Sequence, residues 1–298
     1  MSVVQSYSGQ IYSVLCAIIW AFAVILFKKS GEIVHPIALN LFKNFVAIIL
    51  FYLTIVILGQ SLLQPVPIKV YLIFVVSGVL GLAIADTLFF MCLNNIGAGR
   101  FAIVACLHSP FIITLSVMFL KETMMVLQII GVVFIVIAVL LTMRIKNSEH
   151  ISRRKLLLGI LWGVLSIAIN AIGVVMIKPH LNHVPLLWAI EFRLLAGFVS
   201  LLIITVFLPI RSRIFSSIKN LRGLGYSLSG TFLGTYLSLL LWLAGMKYTQ
   251  ASIASALNQT SSVFVFIFAA LILKEKISLL RVFAILLAIT GIFLVFLG

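Results

Sequence analysis

The chain has 298 residues, of which 63% are hydrophobic and only 9% are charged, and its mean hydropathy is +1.31. An ordinary soluble domain has roughly a quarter of its residues charged, so this composition excludes an ordinary soluble protein. A membrane-spanning helix needs about 20 mostly apolar residues, and about ten such helices fit this length if the loops are short. No room then remains for an extramembrane catalytic domain.

Apolar segments separated by Pro, Gly, Asn or charged residues divide the chain into ten predicted spans. They cover residues 9–27, 36–58, 69–93, 99–120, 124–143, 156–177, 185–208, 224–246, 250–273 and 277–297. The third and eighth spans are rich in Gly and Ser, which indicates close packing or a break in the helix. The predicted fold class is an all-α polytopic membrane protein.

Basic residues outnumber acidic ones, because 21 Lys and Arg against 6 Asp and Glu give a formal net charge of +15. In a soluble chain this balance would indicate nucleic-acid binding. Here the basic residues cluster in two predicted interhelical loops, 144–155 and 211–222, where the positive-inside effect and anionic headgroups account for them. We therefore expect membrane lipids as partners and no nucleic acid.

The sequence contains no motif for covalent chemistry or cofactor binding. Its three cysteines lie in apolar segments without a metal or disulfide spacing. There is no G-x-x-x-x-G-K-[ST] for ATP, and no H-E-x-x-H or G-x-S-G for an intramembrane hydrolase. We expect no catalytic residues, no metal and no cofactor, and we predict that the chain is not an enzyme.

An internal repeat determines the predicted architecture. Matching residues recur at an offset of 153 or, near the start of each half, of 150: Lys121 and Lys274, Glu122 and Glu275, Ser109 and Ser262, Gly9 and Gly159, Lys28 and Lys178, Lys43 and Arg193. The predicted organisation is a first five-helix repeat over 1–143, a basic loop over 144–155 and a second five-helix repeat over 156–298. Because five is odd, the ten transmembrane helices form two inverted repeats, an arrangement typical of transporters.

The Leu-Lys-Glu at 120–122 and 273–275, each after a helix of small residues, resembles the EamA-type branch of the drug/metabolite transporter superfamily. The resemblance covers nearly the whole chain. It implies a ten-helix, multi-pass inner-membrane carrier of amino acids, metabolites or drugs, in a family with many exporters. The family often has Pro in both small-residue helices. Here Pro110 in the fourth span matches Val263 in the ninth, so we expect the second half to lack the matching kink.

The loop charges predict an orientation. Most loop Lys and Arg fall on one predicted side, and the other side has only Lys69, Lys121, Lys178 and Lys247. The positive-inside rule then places both termini outside the cytoplasm, whereas the family resemblance implies both termini inside.

Four charged residues lie within predicted spans, where each costs at least about 2.5–3.5 kcal/mol on insertion scales. In the first half they are Lys43 and Asp86. These two residues and His108 each lie seven or eight residues from the end of a span, which at about 1.5 Å per residue places all three about 10–12 Å from the same membrane surface. We expect Asp86 to pair with Lys43 and His108 to lie nearby.

In the second half the embedded charges are Glu191 and Arg193. The position that matches Asp86 is Leu239, so Arg193 lacks that partner within its own repeat. Residues at i and i+2 point to different helix faces, so Glu191 and Arg193 do not pair well with each other. A buried carboxylate without a close cation would suit Glu191 to proton coupling. The alternative for all four charges is contact between helices or a side chain that extends toward the surface.

Uncharged polar and aromatic residues complete the predicted substrate pathway. The repeat places Trp20 opposite Asn170 near the midplane, where an aromatic ring and an amide could bind a small organic substrate. We expect Tyr236 and Trp242 to join them. Asn258 and Gln259 are costly in lipid, so we expect both to face the pathway.

These features predict a secondary transporter of small metabolites such as amino acids, an exporter that works by alternating access with protons as the coupling ion. An alternative is an importer or exchanger of a phosphorylated or nucleotide-like anion, which Lys43 and Arg193 would bind. An alternative from a different functional class is a non-transporting membrane scaffold or an intramembrane enzyme.

Overall fold

A computed structural model describes residues 8–120, 125–144, 152–248, 254, 257–275 and 277–297, and the regular structure within these ranges is entirely helical. Three predicted features lie wholly or partly outside these ranges: Lys121 and Glu122 of the first Leu-Lys-Glu, most of the basic loop 144–155, and the start of the ninth predicted span.

The described residues of the first half form seven α-helices and one π-helical segment. They are α1 (Ser8–Gly31), α2 (Pro36–Ile57), α3 (Ile68–Gly78), the π segment Val79–Ala85, α4 (Asp86–Ile96), α5 (Ala98–Ala105), α6 (His108–Leu120) and α7 (Val126–Arg144). Pro36 occupies the first turn of α2, where its missing N–H costs nothing, and the His35 side chain accepts a hydrogen bond from Ile37 N.

The second half has a similar order of elements. They are α8 (Arg153–Ile177), a 3₁₀ turn (Lys178–His183), α9 (Leu186–Phe207), α10 (Arg211–Ser217), α11 (Leu221–Gly230), a second π segment (Thr231–Ser238), α12 (Leu239–Tyr248), α13 (Ser261–Ile272) and α14 (Leu279–Leu297).

Helix lengths agree with a polytopic membrane protein. Within the described residues, six helices or continuous helical runs are long and apolar enough to cross a membrane, and four shorter apolar helices accompany them. Large apolar side chains are exposed along many of these helices, for example Ile57 and Phe207 at 81% and 82%. Such surfaces suit a hydrocarbon solvent and would be costly in water.

Both Gly- and Ser-rich spans contain a π-helical segment, 79–85 in the third and 231–238 in the eighth. A π-helix displaces the usual backbone ladder and leaves carbonyl oxygens that need other donors. In the third span, Asn40 Nδ2 donates to Leu82 O (2.9 Å) and Ala83 O (3.1 Å). Asn44 Nδ2 also donates to Leu82 O, at 3.2 Å. Two amides of α2 thus stabilise the first π segment.

The expected difference between the fourth and ninth spans is wrong, because both are interrupted. The fourth breaks between α5 and α6, just before Pro110, which has no N–H to donate to Cys106 O. That carbonyl accepts from Gln259 Nε2 instead, at 3.3 Å. The ninth breaks at Thr260 without any proline. The Thr260 hydroxyl donates to Leu257 O at 2.6 Å, and this local bond competes with a regular helical turn.

Small residues permit the closest helix contacts. Gly78 at the end of α3 and Gly197 on α9 lie where the third span crosses α9. A Cβ on Gly78 would collide with the backbone carbonyl of Arg193, and one on Gly197 would come within 2.8 Å of Leu82 Cβ. Because backbone cannot yield as a side chain can, this crossing requires glycine.

We expect Gly78→Ala to destabilise the protein by about 1–3 kcal/mol, since the added methyl forces α3 and α9 apart. Gly225→Ala is the matched control, because a Cβ on this helical glycine meets nothing within 4 Å. Thermal unfolding of the detergent-solubilised variants provides the measurement. Equal melting temperatures for the two variants would contradict the close crossing.

Candidate functional site

A cavity of about 220 Å³ lies between helices of both halves. Its walls come from α1, α2, the third span, α5 and α6 on one side, and from α8, α9, the eighth span and residues 258–261 on the other. A small cavity that mixes apolar walls with a few polar groups is the usual form of a binding site for small molecules.

Nine of the eleven predicted pathway residues line this cavity. They are Trp20, Lys43, Asp86, His108, Asn170, Arg193, Trp242, Asn258 and Gln259. The described lining does not include Glu191 or Tyr236. Glu191 is only 3% exposed. Tyr236 packs against Phe51 at 4.9 Å between ring centroids, and its hydroxyl lies 2.7 Å from Thr54 Oγ1.

Lys43 and Asp86 form an ion pair at the cavity wall, as expected from their common depth. Lys43 Nζ donates to Asp86 Oδ2 at 2.7 Å and to Asn44 Oδ1 at 2.8 Å. The Lys43 side chain is 4% exposed and that of Asp86 is 20% exposed. Because the Asp86 carboxylate is the more accessible partner, a substrate or a proton in the cavity can reach it.

Arg193 lines the cavity from the second half. Its guanidinium would be 3.1 Å from a Cβ on Gly81, so the glycine leaves room for it, and Asp86 attracts it electrostatically. Asp86 thus pairs with Lys43 and attracts Arg193 from the other half, although no sequence match predicted a partner for Arg193. Among the described residues, the buried Arg193 Nε has no hydrogen-bond partner, which is costly for a buried donor.

Neutral polar groups lie at the interrupted helices. The His108 side chain interacts with Asn170 from α8, and its ring centroid is 6.4 Å from that of Trp242. The carbonyl that Pro110 frees, Cys106 O, accepts from Gln259 Nε2. Within the described part of the chain, Asn258 Oδ1 has no hydrogen-bond partner. Two lining residues, Arg193 and Asn258, therefore each have a buried polar atom without a hydrogen-bond partner.

An aromatic group forms one end of the cavity, and sequence reasoning did not identify it. It consists of Phe27, Phe89, Phe90 and Phe101, all lining residues. Phe89 is in contact with Trp20, at 5.9 Å between ring centroids. Helical spacing contained a signal, because Phe89 and Phe90 follow Asp86 at i+3 and i+4 and share its helix face.

A family model describes both halves of the chain. The model of the EamA-like transporter family matches residues 7–144 and 157–297. Together with the apolar helices and the central cavity, this match defines a multi-pass integral membrane transporter. The chain belongs to the EamA-like transporter family.

Two further comparisons agree. The chain is 23% identical over 299 residues to a protein of Methanothermobacter thermautotrophicus named as an uncharacterized transporter, covering 97% of this chain and 86% of that protein. A solved crystal structure matches with a TM-score of 0.71 and 16% identity over 96% of both chains. That likeness shows the fold alone.

Breaking the buried pair should destabilise the protein far more than breaking a surface pair. We expect Asp86→Asn to cost about 3–5 kcal/mol, because Lys43 is then left buried without its counterion. Glu32→Gln is the matched control, since it removes a Lys28–Glu32 pair of 3.4 Å in which Glu32 is 58% exposed, and we expect it to cost less than about 1 kcal/mol. Thermal unfolding in detergent compares the two.

The charge-swapped double variant Lys43→Asp, Asp86→Lys tests the pairing itself. We expect it to melt at a higher temperature than either single variant. A double variant no more stable than the singles would contradict a direct pair.

Proposed function

We propose that this protein is an inner-membrane secondary transporter, built as two inverted five-helix repeats, that exports a small carboxylate-bearing metabolite such as an amino acid by alternating access. The observation that carries the proposal is the cavity between the two halves, to which each half contributes a buried cation. The matched positions of the two π segments and of the two interrupted spans support the repeat.

The charges of the cavity favour an anionic group on the substrate. The described lining contains Lys43 and Arg193 but only one carboxylate, that of Asp86. Because Lys43 is held by Asp86 and Asn44, Arg193, whose buried Nε has no hydrogen-bond partner among the described residues, is the better partner for a substrate carboxylate, which a guanidinium binds with two parallel hydrogen bonds. An ammonium group on the same molecule could donate to Asn258 Oδ1.

Size separates this proposal from that of a nucleotide-like substrate. Pockets for drug-sized ligands have volumes of about 300–1,000 Å³, and the cavity here is about 220 Å³. The Trp20, Phe89 and Trp242 rings also provide apolar contacts that a phosphate does not use. A small amphipathic molecule fits these features better than a nucleotide.

Asp86 is the proposed site of proton coupling. Its carboxylate lines the cavity, pairs with Lys43 and attracts Arg193 electrostatically, so a substrate carboxylate that binds Arg193 competes with it. This competition would link binding of the substrate to binding of a proton. Glu191 is a second candidate, buried outside the described lining.

Binding can be tested without knowledge of the direction of transport. We expect carboxylate-bearing metabolites to raise the melting temperature of the detergent-solubilised protein, since a ligand at 100 times its Kd adds about 2.7 kcal/mol of stability. Arg193→Gln should abolish the shift and Arg193→Lys should weaken it, because lysine cannot form the paired contact. The control is Arg213→Gln, which changes an exposed arginine on α10. Equal shifts with uncharged ligands, or shifts that Arg193→Gln leaves intact, would contradict the proposal.

Coupling can be tested in proteoliposomes with a ligand found in this way. We expect a pH gradient to accelerate transport by the parent protein and to have no effect on the double variant Lys43→Met, Asp86→Asn. Removing both charges together avoids an unpaired buried lysine, a change that is often nearly neutral for stability. Glu191→Gln is measured alongside. A transport rate that neither the pH gradient nor any of these substitutions changes would reject proton coupling.

A further inference from the structure

Helix α5 belongs to the first half, yet residues of the second half hold both of its ends. At its N-terminus, Glu275 Oε1 accepts from Ala98 N at 2.8 Å and Oε2 accepts from Gly99 N at 3.1 Å. At its C-terminus, Gln259 Nε2 donates to Ala105 O at 3.4 Å and to Cys106 O at 3.3 Å. Carboxylates are favourable at helix N-termini and satisfy amides that otherwise lack partners.

The Glu275 carboxylate is rigidly placed for this contact. Its backbone N–H donates to Ala269 O at 3.1 Å, and the preceding Lys274 has a positive φ of 54°, so α13 ends in a tight reversal. Arg281 Nη1 lies 3.6 Å from Glu275 Oε2. Gly99 leaves space for the carboxylate, since a Cβ there would be 2.8 Å from Oε2.

Near the same end of the molecule, aromatic rings line the cavity. The aromatic group Phe27, Phe89, Phe90 and Phe101 is nearly inaccessible, with exposed fractions of 0% to 6%. Phe101 lies one turn along α5 from the amides that Glu275 binds. Phe89 contacts it at 4.8 Å between ring centroids. Movement of α5 would therefore shift the aromatic group.

We propose that Glu275 is the latch of a gate formed by α5 and this aromatic group. The inference rests on the proposed transport function, because alternating access requires the two halves to separate at each end of the cavity in turn. When Glu275 holds the N-terminus of α5, Phe101 stays packed against Phe89 and the cavity is closed at this end. When the contact breaks, α5 moves between Gly97, with its positive φ of 81°, and the interruption before α6.

A purely structural cap predicts a different behaviour. A cap adds stability to every conformation in which α5 is helical, whereas a latch stabilises only the state closed at this end. Access to the cavity from this end therefore distinguishes the two roles.

The experiment measures that access directly. In a background with Cys16→Ser, Cys92→Ala and Cys106→Ala, Leu239→Cys places a reporter thiol on the cavity wall. A charged, membrane-impermeant methanethiosulfonate is added to sealed vesicles in each orientation. A parallel protein with Ser216→Cys identifies the vesicles that expose the Glu275 end. Ser216 is exposed on α10, whose neighbouring Ser217 contacts His35 at the same end of the bundle.

We expect Glu275→Gln to raise the labelling rate of Leu239→Cys from this end about tenfold, the factor that corresponds to about 1.4 kcal/mol. Glu275→Asp, whose shorter side chain cannot reach both amides, should give a smaller increase. Glu32→Gln, an exposed glutamate near the same end, should leave the rate unchanged. Rates for both Glu275 variants that equal the parent rate, in protein that elutes as a folded species, would overturn the latch.

The labelling readout needs no substrate, so it separates this inference from the proposed function. Faster labelling from this end with slower labelling from the other end supports a latch between two access states. Faster labelling from both ends indicates a loosened structure and would overturn it. Absence of transport in the parent protein, with the reciprocal labelling change intact, would reject the proposed function and leave the latch as a property of the fold.

Discussion

The ion pair between Lys43 and the Asp86 carboxylate, which also attracts Arg193 of the second half electrostatically, is the interaction on which the rest of the site depends. Charges buried in a membrane protein need counterions, and the described lining, with Lys43, Arg193 and the single carboxylate of Asp86, leaves a net positive cavity. The pair fixes α2 against the third span, and the attraction to Arg193 links that assembly to α9. The Asp86 side chain therefore contributes both to the packing of the two halves against each other and to the net charge of the cavity between them.

Much of this arrangement could be predicted from the sequence because depth in a membrane follows from position along a helix. Residue spacing placed Lys43, Asp86 and His108 in one layer, and the ion pair was found there. Apolar length likewise gave the helical, polytopic class. These inferences need only the rise of a helix and the cost of a charge in hydrocarbon.

Contacts between the halves could not be predicted in the same way. Matching by repeat gave Arg193 no partner, because Leu239 replaces the aspartate in its own half, and the electrostatic attraction comes from Asp86 of the other half. The contact of Gln259 could not be predicted for the same reason, since it binds the carbonyls of Ala105 and Cys106, more than 150 residues away, and Pro110 frees the second of these. The ninth span lacks a proline, so no interruption was predicted there. The interruption at Thr260 depends instead on a local hydrogen bond from its own hydroxyl.

The two π segments occupy matching positions but have unlike surroundings. Asn40 and Asn44 secure the first, whereas the residues 150 positions later are Ile190 and Leu194, which have no amide to offer. The two halves thus share a π-helical segment at matching positions but differ in the side chains that hydrogen-bond to it. Two halves with unlike supports need not deform with equal ease, so in the proposed alternating-access cycle symmetry alone gives no reason for equal populations of the two end states when nothing is bound. In such a cycle, the backbone itself can encode a resting preference for one side of the membrane, independently of any gradient or cargo.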